Sequence, residues 1–238
     1  MSPQLNEYDQ AVGRPLARWS VRPAPARVTI EGRFCRLEPL DVRRHADDLY
    51  SAYSLAADGR DWTYLPIGPF GSRGDYHRYA ATAAQGGDPL HHAVIDLASG
   101  LAVGTLSLMR QDPSNGVVEV GNVMFSPLLK RTPVSTEAQF LLMSYVFGQL
   151  GYRRYEWKCD SLNAPSRAAA ERLGFTYEGT FRQAVVYKGR NRDTAWYSVI
   201  DAEWPRLNRA FQEWLSPENF DAEDRQRRSL AAIRKGSF

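Results

Sequence analysis

Between Ser135 and Gly151 the chain reads STEAQFLLMSYVFGQLG, with Ala138, Leu141, Leu142, Tyr145 and Val146 recurring at intervals of three and four. That spacing puts the five on one face of a helix that ends at the glycine. DVRRHADDLYSAYSLA predicts a second helix, with Asp41 as N-cap and Leu49 and Tyr53 on its inner side, and DYHRYAATAAQ a third. Strands are predicted where apolar residues alternate or cluster between turn residues. RVTIEGRFCRLEPL gives two of them around a turn at Glu31-Gly32, and HHAVIDLASG and LAVGTLSLMRQD give two more around Ser99-Gly100. NGVVEVGNVMF follows as a third antiparallel strand, and RRYEWKCD as the strand after the long helix. A short helix in NAPSRAAAERLG and two strands flanking the KGRNRD turn complete the pattern.

This order predicts an α/β (α+β mixed) sheet flanked by helices, because the β-α-β-α-β portion requires parallel neighbours. Residues 1–27, with four prolines and little periodicity, read as an extended arm. Residues 28–204 form the expected domain, and 205–238 a helix followed by a mixed-charge tail without clear period. The chain of 238 residues is 43% hydrophobic and can bury one substantial core.

Charge and cysteine content narrow the class. Thirty basic against 27 acidic residues give a net charge of +3, too small an excess to argue for a nucleic-acid partner, although Arg14, Arg18 and Arg22 sit together on the arm. Cys35 and Cys159 are far apart and form no C-x-x-C pair, which fits reduced thiols in a cytoplasmic protein. No apolar run approaches a membrane span, and no signal pattern opens the chain, so a soluble protein without membrane partner is expected.

The sequence contains no Walker A loop, no G-x-S-x-G elbow and no H-E-x-x-H. His91 and His92 are adjacent on a predicted strand and face opposite sides, so no metal site is expected there and one ring should be solvated. In NAPSRAAAERLG, Asn163 stands where an N-cap belongs, Pro165 falls in the first turn, and Gly174 ends the helix. Capping alone explains Asn163. Ser166 lies in the same first turn, near the positive end of the helix dipole, where a hydroxyl can donate to a developing anion such as a thiolate.

NAPSRAAAERLGFTYEGTFRQ, preceded by TEAQFLLMSYVFGQLGYRRYEWKCD, resembles the C-terminal half of the GNAT acyl-CoA N-acyltransferases, in the branch similar to the RimJ/RimL ribosomal-protein N-terminal acetyltransferases. The resemblance spans about Val28 to Trp204. It implies a splayed mixed sheet with acetyl-CoA as acyl donor between the VVEVGNVMF and RRYEWKC strands, and direct attack by an amine on the thioester. It further implies Glu119 as the base, Ser166 as proton donor to the thiolate, and contacts to the donor from Val123, Met124, Phe125 and Asn163. An exposed strand-end carboxylate is the other reading of Glu119.

The phosphate loop departs from that family's Q-x-x-G-x-G/A pattern, because KRTPVSTEA places Pro133 and Ser135 at the glycine positions. Lys130, Arg131, Thr132, Ser135 and Thr136 are the residues available to replace the missing contacts. Trp62 and Tyr64, on a loop rich in Gly and Pro, form either a small core beneath the loop or a wall for the acceptor. Arg190 and Asp193 either pair across a hairpin tip or hold the charges of a peptide-like or small-molecule amine. Homo-oligomer formation stays open. The alternative to an enzyme is a degenerate fold of the same kind that senses acyl-CoA or binds a partner.

Overall fold

The computed structural model describes residues 4–223 and 225–236. Two residues at each of Gln4–Leu5 (β1) and Ala11–Val12 (β2) pair as a small hairpin within the arm, where no regular structure was expected. The main elements follow as β3 (Ile30–Glu31), β4 (Cys35–Pro39), α1 (Val42–Tyr53), α2 (Arg73–Gln85), β5 (Leu90–Asp96), β6 (Ala102–Asp112) and β7 (Val117–Phe125). Then come α3 (Pro133–Ser144), running on as a π-helical turn to Gln149, β8 (Arg154–Asp160), α4 (Ala164–Leu173), β9 (Thr176–Tyr187), β10 (Arg190–Ile200), α5 (Trp204–Leu215) and α6 (Leu230–Gly236). Strands β3 to β10 make one sheet in the order β3-β4-β5-β6-β7-β8-β10-β9. Every neighbouring pair is antiparallel except β7 and β8, which the α3 crossover makes parallel.

Helices cover the sheet on both faces. Ala93 and Ile95 of β5 pack with Leu49, Tyr53 and Tyr76 of α1 and α2, while Val94 between them packs with the cluster of α3 and α5 that includes Leu142 and Phe211. Period-two alternation therefore feeds two cores from one strand. Burial on both sides corrects the expectation of a solvated histidine, since His91 is 5% exposed and His92 fully buried. Loss of hydration pushes both imidazoles down to about 4, so they are neutral near pH 7.

The arm and tail pack on the domain. Trp19 donates to the Ser114 carbonyl at 2.9 Å and lies beneath the guanidinium groups of Arg22 and Arg153, and the Ala26 amide donates to the Tyr145 hydroxyl at 2.9 Å. The tail, which shows no clear period in sequence, buries Leu230 and Ile233 of α6 in the same cluster as Trp204, Leu207 and Phe211 of α5. A seven-residue helix is too short to show a period.

One acid holds the first hairpin to the crossover helix. Glu137 of α3 is 3% exposed, and its carboxylate accepts from the backbone amides of Arg33 (2.8 Å), Phe34 (2.6 Å) and Cys35 (2.8 Å). A side chain at Gly32 would put its Cβ 2.7 Å from that carboxylate, so glycine is required by the close approach. Glu137→Ala leaves three donors short of an acceptor and is expected to lower stability by roughly 2–4 kcal/mol, measured as a fall in the denaturant midpoint at unchanged slope. Glu137→Gln, which keeps a carbonyl oxygen, should lose less than half of that, and equal losses would count against the capping role.

Candidate active site

The parallel pair β7–β8 comes apart partway along. Cα partners run from Val117 opposite Arg154 to Val120 opposite Trp157 and stop there, although β7 continues to Phe125 and β8 to Asp160. The other edge of β7 shows why. Against β6, Met124 pairs with Thr105 and Gly121 with Ser107, so Asn122 and Val123 together oppose Leu106 alone. This bulge takes Asn122 to a φ of 49° and bends β7 away from β8. Ser107 fixes it, donating to the Gly121 carbonyl at 2.9 Å and accepting from Asn122 Nδ2 at 3.2 Å.

The gap opens into a cavity of about 1570 Å³. A drug-sized ligand typically occupies a pocket of about 300–1,000 Å³, so there is space for more than one small molecule. The end of β7, the starts of α3 and α4, the loop after α1 and the β9–β10 hairpin all contribute to its wall. Glu119, Val123, Met124, Phe125, Lys130, Arg131, Thr132, Ser135, Thr136, Asn163 and Ser166 line it, as do Trp62 and Tyr64.

On the α4 side, Asn163 Oδ1 accepts from the Ser166 amide at 3.1 Å, and Gly174 closes the helix at φ 102°. The Ser166 hydroxyl accepts from Trp157 Nε1 at 3.0 Å. Indole nitrogen only donates, so the hydroxyl hydrogen of Ser166 is left for the neighbouring Cys159 sulfur or for an acceptor in the cavity.

The opposite side carries a chain of buried charge. Glu119, 5% exposed, receives Arg110 Nη1 at 3.1 Å and Lys158 Nζ at 3.0 Å, both on Oε2. Lys158 also pairs with Glu156 at 2.7 Å, and Arg154 links Glu156 to Glu178. The Lys158 ammonium sits 3.7 Å from the centroid of Trp196. Burial raises the Glu119 carboxyl above its ordinary value, while Lys158 and Arg110 pull it back down. Glu119 is thus a shielded acid and not an exposed strand end.

At the α3 end several of the expected phosphate contacts are already engaged. Lys130 pairs with Asp61 at 2.5 Å, the Ser135 hydroxyl donates to the Thr132 carbonyl, the Thr132 hydroxyl donates to the Leu129 carbonyl, and Thr136 accepts from Arg172 at 3.0 Å. Arg131 is exposed at φ 62° and makes no hydrogen bond or ion pair among the described residues. Pro133 is the first helical residue, which leaves the amides of Val134 and Ser135 as the free donors of the first turn. Behind them the Gln139 side-chain amide and the Ser126 hydroxyl are buried at the cavity wall without partners.

Over the cavity, the loop and the hairpin are joined. Lys188 Nζ donates to the Trp62 carbonyl at 2.7 Å, and the Tyr64 hydroxyl donates to the Leu162 carbonyl at 3.1 Å. Trp62, 6% exposed, stacks edge-on with Tyr53 and Phe70, so it belongs to a loop core and to the cavity wall at once. Arg190 and Asp193 lie off the cavity. Arg190 is exposed beside the turn, and Asp193 accepts from the Gln183 amide at 2.7 Å and from Asn191 at 3.0 Å. Arg192, Thr194 and Trp196 face inward instead, together with Arg110 and Lys158. Alternation along RNRDTAW was the signal for the three, since Thr194 is buried and every second residue shares its face. Among the described residues no group of three or more His, Cys, Asp and Glu could hold a metal ion, and no helix is long and apolar enough to cross a membrane.

Comparison with known proteins bears on this geometry. The family described as the acetyltransferase (GNAT) domain matches residues 35–176, from β4 into β9. A solved GCN5-related N-acetyltransferase from Brucella melitensis is 51% identical, with a TM-score of 0.91 over 92% of this chain and 100% of that one. A structure from Chromobacterium violaceum ATCC 12472, described as a probable acetyltransferase of the GNAT family, is 40% identical, with a TM-score of 0.76 over 86% of this chain and 100% of that one. The Bacillus subtilis (strain 168) protein named "Putative ribosomal N-acetyltransferase YdaF" is 31% identical over 108 residues, which is 45% of this chain and 58% of that relative's length. The matched family segment contains β7, α3, β8 and α4, the elements that part to form the cavity, and on that ground the chain belongs to the GNAT acetyltransferase family.

Proposed function

We propose that the protein transfers an acetyl group from acetyl-CoA to an amine by direct attack, with residues 28–204 as the transferring unit and a soluble cytoplasmic setting. The observation that carries this reading is the parting of β7 and β8 between Ser166 on one side and Glu119 on the other. Freed from pairing with β8, the edge of residues 121–125 that faces the gap offers backbone groups to a ligand. The pantetheine arm of an acyl-CoA offers amides for such an edge. At the α3 end, the free amides of Val134 and Ser135 and the unpaired Arg131 suit the phosphates. With Pro133 in the loop this cradle is smaller than a glycine-rich one, and affinity should depend more on side chains.

Acetyl-CoA supplies a thioester carbon open to attack. Because an amine near pH 7 is mostly protonated, the attacking nitrogen must lose a proton, and Glu119 takes it directly or through water. Its raised pKa makes it a stronger base than an ordinary carboxylate, and Lys158 and Arg110 favour its ionised form against the effect of burial. As the carbon–nitrogen bond forms, the carbon–sulfur bond breaks; Ser166 donates its hydrogen to the departing sulfur and recovers one from solvent, and the second proton shed by the nitrogen leaves to water. The acceptor, a small molecule or a peptide N-terminus, enters between Trp62, Tyr64 and the β9–β10 hairpin. The name of the Bacillus subtilis relative makes a ribosomal protein terminus one candidate.

Glu119→Gln should lower kcat/KM by about 10²–10⁴ while acetyl-CoA affinity changes little. The pH profile gives the sign. Activity of the wild type rises with pH as Glu119 loses its proton; burial and Glu156 oppose the ionised form, and Lys158 and Arg110 favour it. Lys158→Met therefore moves the acid limb to higher pH, and a limb that stays in place would exclude Glu119 as the titrating group.

Ser166→Ala is expected to reduce kcat about 10–100-fold with near-constant acetyl-CoA affinity, since the hydroxyl interaction grows only as charge develops on sulfur. Equal losses in both would make it a binding residue. Calorimetry with Arg131→Ala should show CoA bound about tenfold more weakly, or about 1.4 kcal/mol, and an unchanged Kd would remove Arg131 from the phosphate site.

A further inference from the structure

Three consecutive inward positions of β10 present hydrogen-bond donors that nothing among the described residues accepts. Arg192 Nε, Thr194 Oγ1 and Trp196 Nε1 are shielded from solvent, line the cavity, and have no partner among the described residues. Thr194 is 4% exposed. Buried polar groups in folded proteins are paired in the large majority, so three orphans in one row point to a missing ligand.

Strand register says which side of the cavity they serve. Trp196 pairs with Lys158 and Thr194 with Asp160 of β8, and directly opposed residues share a face. The row therefore lies with Lys158 and Glu119 and opposite Trp157, whose indole reaches Ser166. The Trp196 ring is held between Phe181, stacked at 4.5 Å, and the Lys158 ammonium, which fixes where its N–H points.

The local charge balance identifies the chemistry. Asp160, the acid on the same face, accepts from the Tyr187 hydroxyl at 2.8 Å and from the Leu162 amide at 2.9 Å, and makes no ion pair with Arg192. The Arg192 guanidinium lies 5.9 Å from the centroid of the Tyr187 ring and makes no side-chain hydrogen bond or ion pair among the described residues. Glu119 is already matched by Arg110 and Lys158. One guanidinium is left uncompensated beside a hydroxyl and an indole N–H. A carboxylate brings one negative charge and two acceptor oxygens, which fits this row, whereas a phosphate dianion would face the single cation with Asp160 and Glu119 close by.

Resting on the acetyltransferase reading, we propose that the acceptor is an amine that also carries a carboxylate, held by Arg192, Thr194 and Trp196. An amino acid, or a peptide with an acidic residue near its N-terminus, has that chemistry.

The test is calorimetric binding of amines in matched pairs, each free acid against its primary amide, drawn from amino acids and from dipeptides containing Asp or Glu, with and without saturating CoA. At least one acid should bind tenfold or more tightly than its amide, and Arg192→Gln should shrink that gap to less than twofold, with Thr194→Val intermediate. A wild type that favours no acid, or a gap that survives in Arg192→Gln, overturns the proposal. A second arm compares acetyl-CoA with succinyl-CoA. If succinyl-CoA is preferred and Arg192→Gln removes the preference, the carboxylate belongs to the acyl chain and the assignment to the acceptor fails. CoA binding, titrated separately, reports on the underlying reading: CoA bound with no acid preference defeats only the proposal made here, and no CoA binding defeats acetyl transfer itself.

Discussion

The whole site depends on main-chain pairing that ends early. Two parallel strands in the middle of an eight-stranded sheet should pair along their full common length, because each unmade backbone hydrogen bond away from water carries a penalty of about 1–3 kcal/mol. Here pairing stops after Val120 and Trp157, and the extra residue at Asn122–Val123 bends β7 outward. The ends of β7 and β8 become walls, and the helices that follow them, α3 and α4, bring their N-terminal first turns to the same opening. A cavity in the heart of a sheet needs this kind of local rule-breaking, and the positive φ of Asn122 and the unpaired side chains of Gln139 and Thr194 lie at its wall.

The second consequence is electrostatic. Parting the strands turns their faces toward a cavity, and Glu119, 5% exposed at its wall, must be matched. Arg110 from β6 and Lys158 from β8 flank Glu119, and Glu156, Arg154 and Glu178 carry the alternation of sign toward the sheet edge. Desolvation and ion pairing act on Glu119 in opposite directions. The balance leaves the Glu119 carboxyl raised above its ordinary value, which suits a group that takes a proton. Arg192 breaks the alternation, and the carboxylate of the proposed acceptor would restore it.

Much of the fold was legible in sequence because its signals are local. The face formed by Ala138, Leu141, Leu142, Tyr145 and Val146, the Asp41 cap, and the Asn163 to Gly174 helix each follow from residues within a few turns of one another. What escaped depends on distant contacts. His92 is dry because helices close both faces of β5, and α6 reaches the core through Leu230 and Ile233. In the site, the cluster near Asn163 and Ser166 could be read from capping chemistry, whereas Lys158 and Arg110 meet Glu119 only through strand register. Arg190 and Asp193 drew attention as charged turn residues, but β10 alternation turns Arg192 inward.

A crystal structure with CoA bound measures the central claim most directly, since the parted strands either are or are not the thioester slot. The sulfur should lie in the opening just beyond Val120 and Trp157, on the side of the Ser166 hydroxyl, with backbone amides of residues 121–125 bonded to the pantetheine arm. Pantetheine density elsewhere on the molecule, with β7 and β8 still parted and the gap filled by ordered water, would contradict the account.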